Sequence, residues 1–418
     1  LLGAAYREDT PQTAALEAAL RRQDTMAESL AAMERAARPA HFFARETRPL
    51  GALLGDRLTL SPTRVEQYYR CRFSYFLQYV LRIRPRRRAE LSPLESGSLV
   101  HYILEHVMRR ADAEFPRLAP EELARLAGEV ADQYVAENMP AAGRRFAYLV
   151  ERLKRGVTRL LAYLQAEQAQ SLFHPAAFEQ EIGTGEGAVP PLTLRTPDGR
   201  TVQVQGKIDR VDVMEREGRT YLRVVDYKTG NKAFNLDEVY CGLNTQMLLY
   251  LFTLRSNAAQ VYKNPVAAGV LYLAGDPVLK TGSRAEAAAA PVYKVDGLVL
   301  NDELVVRGMD RDATGMFVPF AFGKDGAPRA SAKLASLEKL GNIEKHLDAL
   351  VVEMARGLYA GEIDAVPLRT AAHCPCDVCD YRPVCLHEDG RGETSVQAPK
   401  DVFETRADAC KAQGEGNI

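Results

Sequence analysis

The chain has 418 residues, 46% hydrophobic and 26% charged, with a net charge of −1. That is the make-up of an ordinary globular protein, long enough for two or three domains or one elaborated domain. Near-neutrality excludes a global basic field for nucleic acid, so only local charge can speak for one, and the longest apolar runs, such as Val266–Ala274, are far too short to cross a bilayer.

Leu1–Arg7 has no basic segment followed by an apolar stretch, so no secretory signal is expected, and Leu1 reads as an internal position of a longer polypeptide. Residues 1 to about 50 read as helix, with Pro11 to Arg38 rich in Ala, Leu, Glu and Arg at helical spacing. Ser61-Pro62-Thr63 starts a helix, Ser61 as N-cap and Pro62 in the first turn, that runs through Tyr68, Tyr69, Cys71, Phe73 and Phe76. A second helix begins near Gly97 and carries His101 and Glu105, and Ala119 to Gln170 is mostly helical. The period then changes to two. Thr201–Met214 and Arg219–Tyr227 read as strands joined by the turn Arg216-Glu217-Gly218. Asp237–Leu254 returns to helix, Val266–Ala274 is a third strand, residues 276–335 are mixed with edge strands, and Leu334–Gly357 is helix. Residues 391–418 read as a frayed tail or a short docking segment.

Two basic runs stand out: Arg82, Arg84, Arg86, Arg87 and Arg88, then Arg144, Arg145, Arg152, Lys154, Arg155 and Arg159. Such runs are either a path for phosphates or solvated helix faces.

The chemistry-bearing residues lie on the two adjoining strands. Gly206-Lys207-Ile208-Asp209 and Val225-Asp226-Tyr227-Lys228 each set a carboxylate in apolar surroundings. Asp226 and Lys228, two apart on a strand, share a face. An unpaired buried carboxylate costs several kcal/mol (about 2–7 for a polar group), which a bound ion relieves. Two carboxylates suit Mg²⁺ or Mn²⁺. Phosphodiester hydrolysis needs such an ion to acidify water, and a cation near the developing charge. Asp209 and Asp226 would hold metal, and Lys228 would orient the water or stabilise the transition state. The plain alternative is a hairpin with a surface Asp–Lys pair. His101 and Glu105, one helical turn apart, add an imidazole that could complete a metal site. Gln246 and Tyr250 have the same spacing, which alone reads as helix packing.

In this order the motifs resemble the RecB-family nucleases of the PD-(D/E)xK superfamily: a helical G-x-x-x-H, a G-x-[IV]-D strand, a D-x-K strand and a Q-x-x-x-Y helix. The resemblance implies an α/β, restriction-endonuclease-like core, a central mixed sheet flanked by helices, with a helical insertion. It implies metal ligation by His101, Asp209, Asp226 and the Tyr227 carbonyl. It further implies Lys228 as the catalytic lysine, with Gln246 and Tyr250 supporting the site or touching DNA, and Glu105 as a weaker candidate.

Seven cysteines are present, and Cys374, Cys376, Cys379 and Cys385 fall within twelve residues. This clustering argues for metal ligation in a reducing compartment, hence a cytoplasmic protein, over a disulfide framework. Cys376, Cys379 and Cys385 form C-x₂-C-x₅-C. Either Cys374 closes a local zinc site, or Cys71, about three hundred residues earlier, supplies the fourth thiolate, and spacing does not separate zinc from an iron–sulfur cluster.

The segment Leu60 to Phe76 and the stretch Val225 to Tyr250 are similar to the nuclease domain of the AddB family, components of bacterial AddAB helicase–nucleases. In that family an early cysteine joins a late C-x₂-C-x₅-C around a [4Fe-4S] cluster, which implies Cys71, Cys376, Cys379 and Cys385 as its ligands here. Cys374 is an extra thiol, and Arg72 replaces a proline frequent at that position. The resemblance implies an Mg²⁺-dependent nuclease acting on single-stranded DNA during double-strand-break resection, with an AddA-like subunit as partner and no membrane. No G-x-x-x-x-G-K-[ST] occurs, so the chain does not power unwinding itself. The expected organisation is a helical remnant (1–50) and a nuclease domain (51–390) with a helical lobe (98–175), catalytic core (176–275), elaboration (276–335) and a closing helix with the cysteines (336–390), then a tail (391–418). The alternatives are an iron–sulfur exonuclease of the CRISPR-associated kind, typically shorter and lacking a segment like 276–335, and an inert cluster-stapled DNA-binding subunit.

Overall fold

The hairpin read from the sequence is the centre of the computed structural model: Gly206–Arg216 and Arg219–Thr229 pair antiparallel through the two-residue turn Glu217-Gly218, both residues left-handed. That turn matches the twist of the strands it joins. The structure describes residues 10–23, scattered positions from 26 to 32, then 47–84, 93–138, 144–229, 233–275 and 293–404 except 372, 386, 389, 391, 400 and 401.

In chain order the α-helices of five or more residues are α1 (Pro11–Arg21), α2 (Thr47–Leu54), α3 (Pro62–Arg70), α4 (Pro93–Ala111), α5 (Pro120–Asn138), α6 (Arg144–Gln170), α7 (Leu236–Tyr240), α8 (Gln246–Asn257), α9 (Glu303–Met309) and α10 (Leu337–Ala360). The strands are β1 (Arg57–Leu60), β2 (His174–Ile182), β3 (Leu192–Arg195), β4 (Thr201–Val204), β5 (Gly206–Arg216), β6 (Arg219–Thr229), β7 (Pro265–Gly275), β8 (Lys294–Leu300), β9 (Leu334–Ala335), β10 (Leu368–Arg369) and β11 (Thr394–Ser395). A six-stranded mixed sheet runs β2-β5-β6-β7-β8-β9. β6 and β7 are parallel, which demands a crossover, and α7 and α8 supply it. The protein is thus α/β, with a mixed sheet flanked by helices. A small sheet, β1-β4-β3, is set beside it. No helix among the described residues is long and apolar enough to cross a membrane.

Local chemistry accounts for the elements. Ser61 caps α3, its hydroxyl accepting from the Arg64 backbone N–H at 3.3 Å. α8 is buried from Met247 to Leu254 with no polar face, as suits a helix enclosed by the core.

Four expectations are revised. The helix read from Ser61 through Phe76 is interrupted at Cys71, whose backbone is extended, and resumes at Arg72 as a separate short helix. The strand over Thr201–Met214 is two strands, broken at Gln205: β4 belongs to the small sheet and β5 to the large one. The helix over Asp237–Leu254 is broken between Tyr240 and Gln246, where Gly242 and Asn244 turn left-handed. A Cβ at Gly242 would collide with the Tyr69 ring, so the bend is where α3 packs. The helix expected from Leu334 begins at Leu337, with Ser336 as its cap, because Leu334 and Ala335 pair with β8. The strand β2, unassigned in the sequence, is an edge of the large sheet. Of the helix expected over Pro11–Arg38, Pro11–Arg21 is seen, and much of the remainder lies outside the described residues, as do residues 276–292. In the tail, β11 pairs with β10 and Phe403 is buried near Tyr240 and His346.

On one face of the sheet a quartet of charges is fully enclosed. Asp212 accepts from Arg210 Nη2 at 2.8 Å and from Arg223 Nε at 2.9 Å. Glu167, from α6, accepts from Arg223 Nη2 at 2.6 Å and Arg210 Nη2 at 3.3 Å. Arg210 and Arg223 are 1% and 0% exposed, so neither has water as a substitute partner. Removing one member strands the others at about 3–5 kcal/mol. Arg223→Met is expected to lower the unfolding free energy by roughly that amount in urea titrations. A change well under 1 kcal/mol would show that the quartet does not hold α6 to the sheet.

Candidate active site

β5 and β6 align Arg210 with Val225, and the same register carried one residue further sets Asp209 beside Asp226. Side chains alternate, so these acids face away from the Arg210–Arg223 quartet. Lys228 Nζ lies 2.9 Å from Asp226 Oδ2. That oxygen is buried and takes no well-aligned hydrogen bond. Asp209 Oδ2 accepts from the Tyr227 backbone N–H at 3.2 Å. α4 brings His101 to the same point: its Nε2 is 3.0 Å from the Tyr227 carbonyl oxygen and its Nδ1 3.5 Å from Asp209 Oδ2. His101, Asp209, Asp226, Tyr227 and Lys228 are therefore brought together from one helix and two strands.

Burial and mutual repulsion govern the two carboxylates. Burial, then repulsion from Asp226, raises the Asp209 carboxyl to about 7, against the pull of His101 and Lys228. Burial acts to lower the Lys228 ammonium, but Asp226 and then Asp209 outweigh it and leave its pKa above the ordinary value. Two facing carboxylates, a carbonyl oxygen and an imidazole form a donor set that fits a hard divalent ion.

Gln246 and Tyr250 reach the site through β5. The Tyr250 hydroxyl is hydrogen-bonded to the Lys207 backbone and the Gln246 side chain, and burial raises it to about 12. A Cβ at Gly206 would collide with that hydroxyl, so glycine is required for this close approach. The Gln246 N–H donates to Glu66 Oε1 at 3.1 Å, which ties the start of α8 to α3.

Glu179 is the functional candidate that the sequence did not give. A carboxylate oxygen of Glu179 lies within 4.8 Å of a ligand atom each from His101 and Asp209, a spacing that a single ion could bridge. Lys207 Nζ is 3.1 Å away. Glu179 sits in β2 with a left-handed backbone (φ +50°), strain of the kind found at functional sites. The available signal was an acid amid Ala176-Ala177-Phe178, but β2 has a register shift between Pro175 and Ala177 that blurs the alternation. Glu105 is not part of the group: it pairs with Arg109 at 3.0 Å.

Of the basic runs, Arg82 and Arg84 are exposed, and residues 86–88 are outside the described set. Lys154 is already paired, with Asp132 at 2.6 Å and Glu151 at 2.7 Å, so part of the second run is a solvated helix face.

The cysteines gather at the other end of α3. Cys71 is the extended residue that ends it. Cys71, Cys376, Cys379 and Cys385 line one cavity of about 260 Å³. Cys71, Cys379 and Cys385 pack on a small core of Phe73, Leu77 and Tyr381. Burial pushes the Cys71 thiol to about 11. The Tyr381 hydroxyl donates to the Ile83 carbonyl at 2.6 Å, and the Phe73 N–H to the Asp364 carbonyl at 3.1 Å, so early and late segments meet here.

With this fold and site, the profile of the PD-(D/E)XK nuclease superfamily matches residues 59–386, and the chain belongs to that superfamily. Among curated proteins, it is 31% identical over 368 residues to an ATP-dependent helicase/deoxyribonuclease subunit of Clostridium acetobutylicum, covering 84% of this chain and 32% of that protein. The protein of the same name from Acetivibrio thermocellus is 30% identical (88% and 33% covered), and that of Desulforudis audaxviator 33% (80% and 30%). The chain spans about a third of the length of these relatives.

An acid whose folded-state pKa is raised weakens folding. The penalty is absent below about pH 4, grows to about pH 7 and is constant above. In chelator, Asp209→Asn is therefore expected to raise the thermal midpoint at pH 8, by about 2–5 °C, and by less at pH 5. Equal shifts at both pH values would mean that Asp209 is not held as described.

Proposed function

We propose that this chain is the nuclease module of a two-subunit helicase–nuclease, hydrolysing single-stranded DNA with Mg²⁺ or Mn²⁺ during double-strand-break resection in the cytoplasm. The observation that carries the reading is the pair of carboxylates Asp209 and Asp226, the first with a raised pKa and the second paired with Lys228 at 2.9 Å, beside the Tyr227 carbonyl and His101.

His101, Asp209, Asp226 and the Tyr227 carbonyl would hold the ion. Bound there, it would polarise a phosphoryl oxygen and lower the pKa of the attacking water. Lys228 presents a fixed positive charge where negative charge develops on the phosphoryl group, and its ammonium orients that water. Gln246 and Tyr250 hold the start of β5, and with it Asp209, in place. A cleft of about 500 Å³ lined by Ser61, Arg64, Gln205, Gly206 and Lys207 opens beside this strand. Arg64 there, and the exposed Arg82 and Arg84, suit a phosphate backbone read without sequence preference. The motor would reside in an AddA-like partner, in keeping with the helicase/deoxyribonuclease name of the relatives.

Cys71, Cys376, Cys379 and Cys385 would hold a [4Fe-4S] cluster. The four residues share the lining of one cavity, and four thiolates are the ligand set such a cluster takes.

The test is cleavage of end-labelled single-stranded DNA by the wild-type chain, Asp226→Asn and Lys228→Met, with binding followed in parallel. Both variants are expected to bind normally and to cut on the order of 10²–10³-fold more slowly. Equal cutting by all three would refute the site. Binding without cutting by the wild type, in Mg²⁺ and in Mn²⁺ with the partner present, would favour an inert DNA-binding module.

A further inference from the structure

Cys374 adjoins the four cysteines around the cavity, which His387 also lines. Cys374 itself is fully buried and does not line that space. Its thiol, the Cys376 thiol and a ring nitrogen of His387 all lie within 4.8 Å of one another. The turn Pro375–Val378 fixes the first two: the Cys374 N–H donates to Asp377 Oδ2 at 3.1 Å, which points both thiols into one corner.

His387 is held as a metal-binding imidazole is held. Its side chain is 5% exposed, and its Nε2 faces Glu393 Oε1 at 3.2 Å. Glu393 is anchored in turn by Arg369 Nε at 2.7 Å and by the Gly390 N–H at 2.8 Å, beside the pairing of β10 with β11. A carboxylate hydrogen-bonded to one ring nitrogen orients the imidazole, the arrangement that supports zinc-bound histidines.

We propose that Cys374, Cys376 and His387 form a mononuclear site for a borderline-soft divalent ion, Zn²⁺ by its chemistry. Two thiolates and an imidazole are ligands that zinc takes and that Mg²⁺ does not. Three protein ligands leave the fourth tetrahedral position to water. The site shares Cys376 with the proposed four-cysteine set and rests on that reading only for the sharing. One thiolate cannot complete both, so zinc and the cluster exclude each other. The lobe therefore has two metal states, and chain that lacks the cluster takes zinc at Cys374, Cys376 and His387.

The experiment uses the full chain stripped of metal, titrated with Zn²⁺ and with Co²⁺ as a spectroscopic probe, and separately reconstituted with iron and sulfide under anaerobic conditions. One equivalent of Co²⁺ is expected to bind with thiolate charge-transfer absorption. Cys374→Ser and His387→Asn are expected to weaken Zn²⁺ at least tenfold, and Glu393→Gln about tenfold, while all three still develop the broad visible absorption of an iron–sulfur cluster. Cys71→Ser is expected to do the reverse, keeping Zn²⁺ affinity and losing the cluster. Retained cluster absorption shows that a variant lobe is folded. Zinc binding indifferent to Cys374→Ser and His387→Asn, zinc binding lost in Cys71→Ser, absence of zinc binding by the wild-type chain, or loss of the cluster in both Cys374→Ser and His387→Asn would each overturn the proposal. DNA cleavage is not read, so failure of the nuclease assignment leaves this result unaffected.

Discussion

The fold depends on one enclosed set of charges, Glu167, Arg210, Asp212 and Arg223. An isolated buried ion costs several kcal/mol, and each member is tolerated only because the others are in place. Asp212 and Arg223 are opposite each other in the hairpin, and Glu167 comes from a separate helix. A slip of one residue between β5 and β6 would separate these charges and would also bring every side chain of the slipped strand to the wrong face. The quartet thus fixes the register that sets Asp209 beside Asp226 on the other side of the sheet. Arg210 further donates to the Tyr227 hydroxyl at 3.0 Å, so the residue whose backbone meets Asp209 and His101 is itself anchored from behind. The stable charges on one face make possible the strained charges on the other.

The two faces differ in how their acids are balanced, and that difference points to function. Asp212 is fully buried, yet its pKa is lowered, because the two arginines outweigh the effect of burial. Asp209 is partly open to solvent, yet its carboxyl is raised, because burial and Asp226 prevail over His101 and Lys228. Both sites lie on the same two strands, and only one is balanced by the chain's own cations. A carboxylate that the protein does not neutralise suits the cation proposed to bind there.

The sequence carried the parts of this that depend on local rules. Ser61 and Pro62 mark a helix start by capping chemistry, Glu217-Gly218 marks a hairpin, and the two-residue spacing of Asp226 and Lys228 gives a shared face whatever the tertiary context. The four cysteines come together around one cavity although Cys71 and Cys376 are far apart in the chain. Where the reading departed from the structure, long-range contact overrode local pattern. The chain alternates smoothly through Thr201–Met214, but Tyr250 presses on Gly206 and the strand divides there between two sheets. Helical spacing continues through Asp237–Leu254, but Tyr69 occupies the space at Gly242. The enclosed Arg210, Asp212 and Arg223 were not singled out, because nothing local shows that Glu167 will cover them. Glu179 was invisible for a related reason: its place in the site comes from an irregular edge strand and a backbone angle that no side-chain pattern encodes.

The short helix α3 joins the two proposed metal centres. Its middle supplies Glu66, which caps α8 at Gln246. Its next turn supplies Tyr69, which fills the bend at Gly242 and donates to the Leu350 carbonyl at 2.6 Å. Its end is Cys71. From Glu66 to Cys71 the rise is only about 7–8 Å at ~1.5 Å per residue, and Tyr68 and Val65 beside them are buried. A closely packed element of this length moves as a unit or not at all. Holding Cys71 against Cys376, Cys379 and Cys385 therefore also holds Glu66 against α8, α8 against Gly206, and Gly206 three residues from Asp209. The proposed cluster would also close a long loop and restrict the unfolded chain, by at most roughly 5–6 kcal/mol on the chain-entropy account. The proposed metal lobe would in this way set the geometry of Asp209 and Asp226.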